Sequence, residues 1–243
     1  AIVINNPSNP FGSVYSAEHL MAVLEVAKRH CVPIIADEIY EHMVFPGHKY
    51  HPLASLSTDV PILSCSGITK RFLVPGWRTG WVIIHDRNNI FGEEIRNGLR
   101  KLTMRFIGTN TLVQGALPKI LSDTPESFFS DTINSLQAQA QLAFELFSEI
   151  PGLKPSMPQG TLYMMVAINM KRFPMISSTL DFVQKLITEE SVFSLPGDCF
   201  GYPNYIRVTT TIPMSEIQEA CQRISLFCGR HYSESPMDEQ RQV

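Results

Sequence analysis

The chain has no apolar run approaching the roughly 20 residues that a membrane-spanning helix needs. Its longest apolar stretches, residues 81–84 and 162–168, are strand-sized, so the chain reads as soluble with no membrane partner. It also has no surplus of positive charge. A net charge of −3 and an isoelectric point near 6.2 leave no footprint for nucleic acid. Cys-x-x-Cys pairs are missing, and the five cysteines (Cys31, Cys65, Cys199, Cys221, Cys228) are scattered and odd in number. That pattern points to reduced thiols in an intracellular, cytoplasmic protein rather than to a disulfide framework. There is no His-Glu-x-x-His pair, no Walker loop and no Gly-x-Gly-x-x-Gly, since Gly76-Trp77-Arg78-Thr79-Gly80 lacks the spacing. An initiator methionine and a leader are also missing. The chain opens inside a strand pattern, which predicts a processed chain or one that begins mid-domain.

What is present is globular material, 44% apolar, enough for one large domain or two modest ones. Apolar strands are predicted at residues 1–5, 32–36, 60–64 and 80–85, and a helix capped by Ser16 lies between the first two. Strand, helix, strand with near-continuous apolarity predicts a mostly parallel sheet covered on both faces. A helix follows at 90–105, and a long one opens at Thr124-Pro125 and runs to about residue 150, where Pro151-Gly152 breaks it. Beyond it come strands at 153–158, 161–169, 192–196 and 205–211, with helices at 178–190 and 215–228. Ser215-Glu216-Ile217-Gln218 fits a capping box. The predicted division is 1–150 for a large domain with its connecting helix, 151–232 for a smaller α+β domain, and a disordered tail at 233–243.

The chemistry centres on residues 64–81. Lys70 sits behind small side chains, and the Pro75-Gly76 turn can swing Arg78 back towards it. A lysine amine near a fixed guanidinium suits a molecule carrying both an aldehyde and a phosphate, and pyridoxal phosphate is one. The plainer reading of Lys70 is a solvated surface lysine. Asp37 directly follows an apolar strand, where a carboxylate needs a cationic partner, and a protonated pyridine nitrogen would serve. Glu38, Glu41 and His42 beside it leave metal ligation open as a rival. The Tyr40 phenol and the Asn9 amide could reach a ring oxygen, but each also reads plainly, as a half-buried aromatic and a turn residue. Arg207, flanked by apolar strand residues, could bind a substrate carboxylate or lie as an edge residue with its head in water. Asn9, Asp37, Tyr40 and Lys70 all fall at or just beyond strand ends, where open α/β sheets bind ligands.

These motifs carry a resemblance. Gly67-Ile68-Thr69-Lys70 followed by Gly76-Trp77-Arg78-Thr79-Gly80 is similar to the cofactor-attachment signature of the class I pyridoxal phosphate aminotransferases. Asn6-Pro7-Ser8-Asn9-Pro10-Phe11-Gly12, Ala36-Asp37-Glu38-Ile39-Tyr40 and Tyr205-Ile206-Arg207 follow the family's order. The likeness runs across essentially the whole chain and is strongest to vertebrate members that act on tyrosine. It implies an α/β fold: a partial fold type I transferase with an incomplete, mostly parallel large-domain sheet and a smaller C-terminal α+β domain. It also implies pyridoxal 5'-phosphate as cofactor, attached to Lys70, which would also move the substrate's α-proton. Asp37 would pair with the pyridine nitrogen, Tyr40 and Asn9 with the ring oxygen, Arg78 with the phosphate, and Arg207 with the substrate carboxylate. Asn9 would also border the substrate. The implied reaction moves an amino group from tyrosine to 2-oxoglutarate, giving 4-hydroxyphenylpyruvate and glutamate, in a homodimer. Alanine aminotransferase and aminocyclopropane-carboxylate synthase share these residues and stay open, as does an inactive fragment. Gly67 departs from the family's phosphate-binding serine, leaving Ser66 or Thr69 to substitute, and Thr79 replaces an aliphatic residue. Family members extend further at the N-terminus, so part of the site is expected to lie ahead of Ala1.

Overall fold

The computed structural model describes residues 1–105 and 107–234. These form two compact units: one comprises residues 1–9, 13–133 and 159–161, and the other 10–12, 134–158 and 162 onwards.

The first unit is built on a four-stranded sheet of order β1-β2-β3-β4, with β1 Ile2–Asn5, β2 Ile34–Asp37, β3 Ile62–Gly67 and β4 Gly80–His85. The first three strands are parallel and β4 runs antiparallel to β3. Helix α1 (Ala17–Arg29) makes the β1–β2 crossover. The Ser16 hydroxyl accepts from the His19 N–H at its start, and Lys28 and Arg29 stand in its last turn, where the helix dipole favours cations. Leu20, Leu24 and Ala27 recur at helical spacing and pack against Ile34, Ala36 and Ile62.

Cover on both faces is not what the described residues show. β4 buries none of its residues, Val82 and Ile83 are exposed, and α2 (Gly92–Met104) and α3 (Thr111–Asp123) bury none either. Helix α3 has no counterpart in the predicted elements, because Gly115 and Pro118 interrupt its pattern. The Asn110 side chain caps two N–H groups at its start, those of Leu112 and Val113, and Pro118 lies inside it. Thr124 closes α3 instead of opening the next helix: it is the C-cap residue, and its hydroxyl donates to the Ile120 carbonyl. Helix α4 (Glu126–Ser148) begins one residue after Pro125, and the boundary between the units falls within it.

The second unit carries an antiparallel sheet of order β5-β6-β8-β7, from β5 Leu153–Ser156, β6 Tyr163–Ile168, β7 Leu195–Pro196 and β8 Tyr205–Thr209. Helices α5 (Thr179–Glu190) and α6 (Met214–His231) cover it. The predicted face of α6 is the buried one, with Ile217, Cys221, Ile224 and Phe227 in the core. The capping box does not form. Pro213 holds the N-cap position, which puts Ser215 inside the first turn. Burial alone pushes the thiols of Cys221 to about 11 and Cys228 to about 12, the behaviour of inert packing residues. Residues 235–243 of the predicted tail lie outside the described residues. No helix among the described residues is long and apolar enough to cross a membrane.

Phe182 is fully buried, 5.6 Å from Phe173 and 5.0 Å from Phe227 between ring centroids, in edge-to-face pairs. Phe182→Ala is expected to cost about 3–5 kcal/mol, read as a lower urea midpoint at constant slope. A loss below about 1 kcal/mol would contradict this packing.

Candidate active site

The carboxyl ends of the three parallel strands are in register. Asn5 pairs with Asp37, and Asp37 pairs with Cys65. The turns beyond these ends are tied back to them. The Asn5 amide donates to the Asp37 carbonyl at 3.2 Å, and the Asn6 N–H donates to the same oxygen at 3.1 Å. The Asn9 N–H donates to Asn5 Oδ1 at 2.6 Å, so Asn9 hangs from the end of β1. The Glu38 N–H donates to the Cys65 carbonyl, and the Asp37 carboxylate accepts from the Ile39 N–H.

Tyr40 is buried at the foot of the turn that follows β2. Lys70 is half-buried on the turn after β3, and its Nζ lies 5.5 Å from the Tyr40 ring centroid. That distance is within cation–π range. The structure therefore brings together Asn9, Asp37, Tyr40 and Lys70 along one edge of the first sheet. Thr69, also half-buried, immediately precedes Lys70 on its turn. Ser66 sits on β3, and its hydroxyl donates to Glu41 Oε1 at 2.8 Å.

Arg78 is exposed, in the left-handed region at φ 51°, and its guanidinium donates to the Pro75 carbonyl of its own turn. Arg207 belongs to the second unit. It is half-buried on β8, opposite Met165 and Leu195.

Gly67 has a steric explanation. A Cβ there would stand 2.7 Å from the Thr79 carbonyl and 2.9 Å from the Gly80 Cα, because β3 and β4 meet at a Gly67–Gly80 pair. Thr79, the other departure, is buried, and its hydroxyl donates to the Trp77 carbonyl.

The acidic neighbours of Asp37 have structural partners. Glu38 is buried and accepts from the Leu53 N–H at 2.9 Å, pinning the loop that returns to β3. Burial, then the Glu38 charge, push the nearby Tyr50 phenol above its ordinary range. Burial, with Asp37 and Glu38, also raises the Cys65 thiol. The described residues contain no group of three side chains able to hold a metal ion. The anchoring roles of Asn5, Glu38 and Glu41 escaped the sequence reading, since a carboxylate that anchors a loop looks in sequence like one that faces water.

A family model described as aminotransferase class I and II matches residues 1–224. The chain belongs to the class I and II aminotransferases. Among curated relatives, the tyrosine aminotransferases of Mus musculus and Homo sapiens are each 54% identical over 231 residues, covering 95% of this chain and 51% of the relative. Among solved structures, tyrosine aminotransferase from Leishmania infantum superposes with a TM-score of 0.91 at 34% identity, covering 95% of this chain and 56% of that one. An aminotransferase from Escherichia coli gives 0.89 at 30% identity, covering 96% and 58%. The chain spans about half the length of the curated relatives it matches. Its fold is the α/β architecture of fold type I aminotransferases over that half.

His42, two residues beyond Tyr40 and with 47% of its side chain exposed, has its imidazolium disfavoured by partial burial first and then by Arg71, against a smaller opposing pull from Glu41 and Glu126. Its folded pKa therefore lies below the ordinary value of about 6.5. Just below that pH the unfolded chain binds the extra proton, so stability rises with pH through this window and falls on acidification. His42→Gln should flatten that slope in urea midpoints compared at about pH 5 and pH 7. An unchanged slope would show that other groups set it.

Proposed function

We propose that the complete gene product is a pyridoxal 5'-phosphate-dependent transaminase that moves the amino group of an aromatic amino acid, tyrosine, to 2-oxoglutarate, with 4-hydroxyphenylpyruvate and glutamate as products. The observation that carries this reading is the Lys70 ammonium held 5.5 Å from the Tyr40 ring, beside the strand end that presents Asp37. An amine, a carboxylate and a phenol on one sheet edge match the aldehyde, ring nitrogen and ring oxygen of pyridoxal phosphate, so the residues present fit the group. The relatives named tyrosine aminotransferase support the choice of donor.

On this reading Lys70 is the attachment point, Asp37 pairs with the ring nitrogen, and Tyr40 and Asn9 face the ring oxygen. Arg78 binds the phosphate, with Thr69 as a further donor and Ser66 as another once its hydroxyl leaves Glu41. When bound, the cofactor supplies an electron-withdrawing ring. Lys70 removes the proton from the substrate α-carbon. Arg207 holds the α-carboxylate and so fixes which α-bond is presented for cleavage, with Asn9 also bordering the substrate. Residues 1–150 are assigned to the cofactor-binding domain with its long helix, and 151–232 to the small domain. The working protein is a cytoplasmic homodimer.

The purified gene product should show a visible absorbance band from lysine-bound cofactor, lost in Lys70→Ala. A protein without the band after reconstitution would sink the cofactor assignment. Turnover with tyrosine, phenylalanine, alanine and aspartate compared side by side should favour the two aromatics. A preference for alanine or aspartate would overturn the aromatic reading while leaving transamination in place.

A further inference from the structure

Arg207 does not stand alone on its strand. Its Cζ lies over two rings, 4.1 Å from the centroid of Tyr163 and 4.8 Å from that of Phe200, both inside the roughly 6 Å at which a guanidinium is attracted to a ring face. Each ring is placed by the fold. β6 and β8 pair Tyr163 with Thr209 and Met165 with Arg207, so Tyr163 is the diagonal neighbour of Arg207 on one face of the sheet.

Phe200 ends the short helical turn Gly197–Phe200, which lies against the start of β8. Only glycine permits that approach. A Cβ at Gly197 would fall 2.2 Å from the Tyr202 carbonyl and 2.7 Å from the Tyr205 carbonyl. Gly201, at φ 75°, then ends the turn in the left-handed region. Phe11 packs edge-on against Tyr202 at 4.8 Å and Tyr205 at 5.9 Å, which fixes the loop between the turn and the strand.

We propose that Tyr163 and Phe200 are positioning residues, an aromatic cradle that fixes the guanidinium plane of Arg207 and so sets the angle at which it meets a carboxylate. The inference rests on the reading of Arg207 as a carboxylate clamp. A guanidinium grips a carboxylate through two parallel N–H bonds only when the two planes coincide. A free arginine side chain must lose several rotatable bonds of freedom to reach that geometry. Rings against the guanidinium face remove much of that freedom beforehand. They also screen the charge from water on that side, which strengthens a charge-assisted hydrogen bond.

The test compares Tyr163→Leu, Phe200→Leu, Tyr163→Phe and Arg207→Ala in the complete gene product loaded with cofactor. Two quantities are read: steady-state constants for tyrosine, and the Kd of hydrocinnamate, a carboxylate without an amino group, from calorimetry. The leucine variants should each raise KM and the hydrocinnamate Kd about five- to tenfold, with kcat and the cofactor absorbance nearly unchanged, because a ring face is lost and the charge is kept. Tyr163→Phe keeps the ring and should stay within about twofold of the parent. Arg207→Ala should abolish hydrocinnamate binding. If Arg207→Ala binds hydrocinnamate as the parent does, the clamp reading fails. If Arg207→Ala loses binding while both leucine variants keep it, the clamp stands and the cradle is overturned. A fall in kcat and cofactor content with an unchanged Kd would assign the rings to packing and also overturn it. Should a leucine variant fail to fold, Phe200→Tyr and Tyr163→Phe carry the decision, since a cradle requires both to bind hydrocinnamate as the parent does.

Discussion

Parallel pairing places Asn5, Asp37 and Cys65 side by side, and the geometry of the first unit's site is downstream of that row. Each strand end gives its backbone to the next turn: Asn6 bonds to Asp37, Glu38 bonds to Cys65, and Asn9 bonds to the side chain of Asn5. Asn9, Tyr40 and Lys70 therefore ride on turns that prolong the sheet's hydrogen bonding. A slip of one residue between strands would turn Asp37 to the opposite face. The core under α1 favours this register, because Ile34, Ala36 and Ile62 bury against Leu20 and Leu24 in it and a one-residue slip of a strand would turn its share of them away.

Much of this was legible from residue types. Ser16 before an apolar helical stripe marked α1, and the stripe Ile217, Cys221, Ile224, Phe227 marked the buried face of α6. Asp37 and Lys70 marked the candidate edge by residue type and by their place just past apolar runs. What stayed hidden depended on partners distant in sequence. Helix α3 hid behind Gly115 and Pro118, which interrupt its pattern. Ser215 matched a capping box that Pro213 pre-empted. Ser66 looked available for an anion, but only the fold shows its hydroxyl turned to Glu41. Gly67 looked like the loss of a serine, whereas the contact with Thr79 and Gly80 leaves no room for one.

The two units use aromatic rings differently. In the first, Tyr40 lies beneath the ammonium of Lys70, and Arg71 stacks at 4.0 Å on Phe129, which meets Phe72 edge-on. In the second, Phe173, Phe182 and Phe227 form the packed centre, while Tyr163 and Phe200 stand under Arg207. Rings thus flank Lys70, Arg71, Arg172 and Arg207, and where two rings meet one guanidinium, as at Arg71 and Arg207, its plane is most restricted.

Arg78 adopts φ 51°, a conformation that costs a side-chain-bearing residue about 1–2 kcal/mol and glycine almost nothing. Selection for thermal endurance alone would therefore favour glycine at position 78, relaxing the turn and discarding the guanidinium. On the reading of Arg78 as a phosphate ligand, this turn trades robustness for reach.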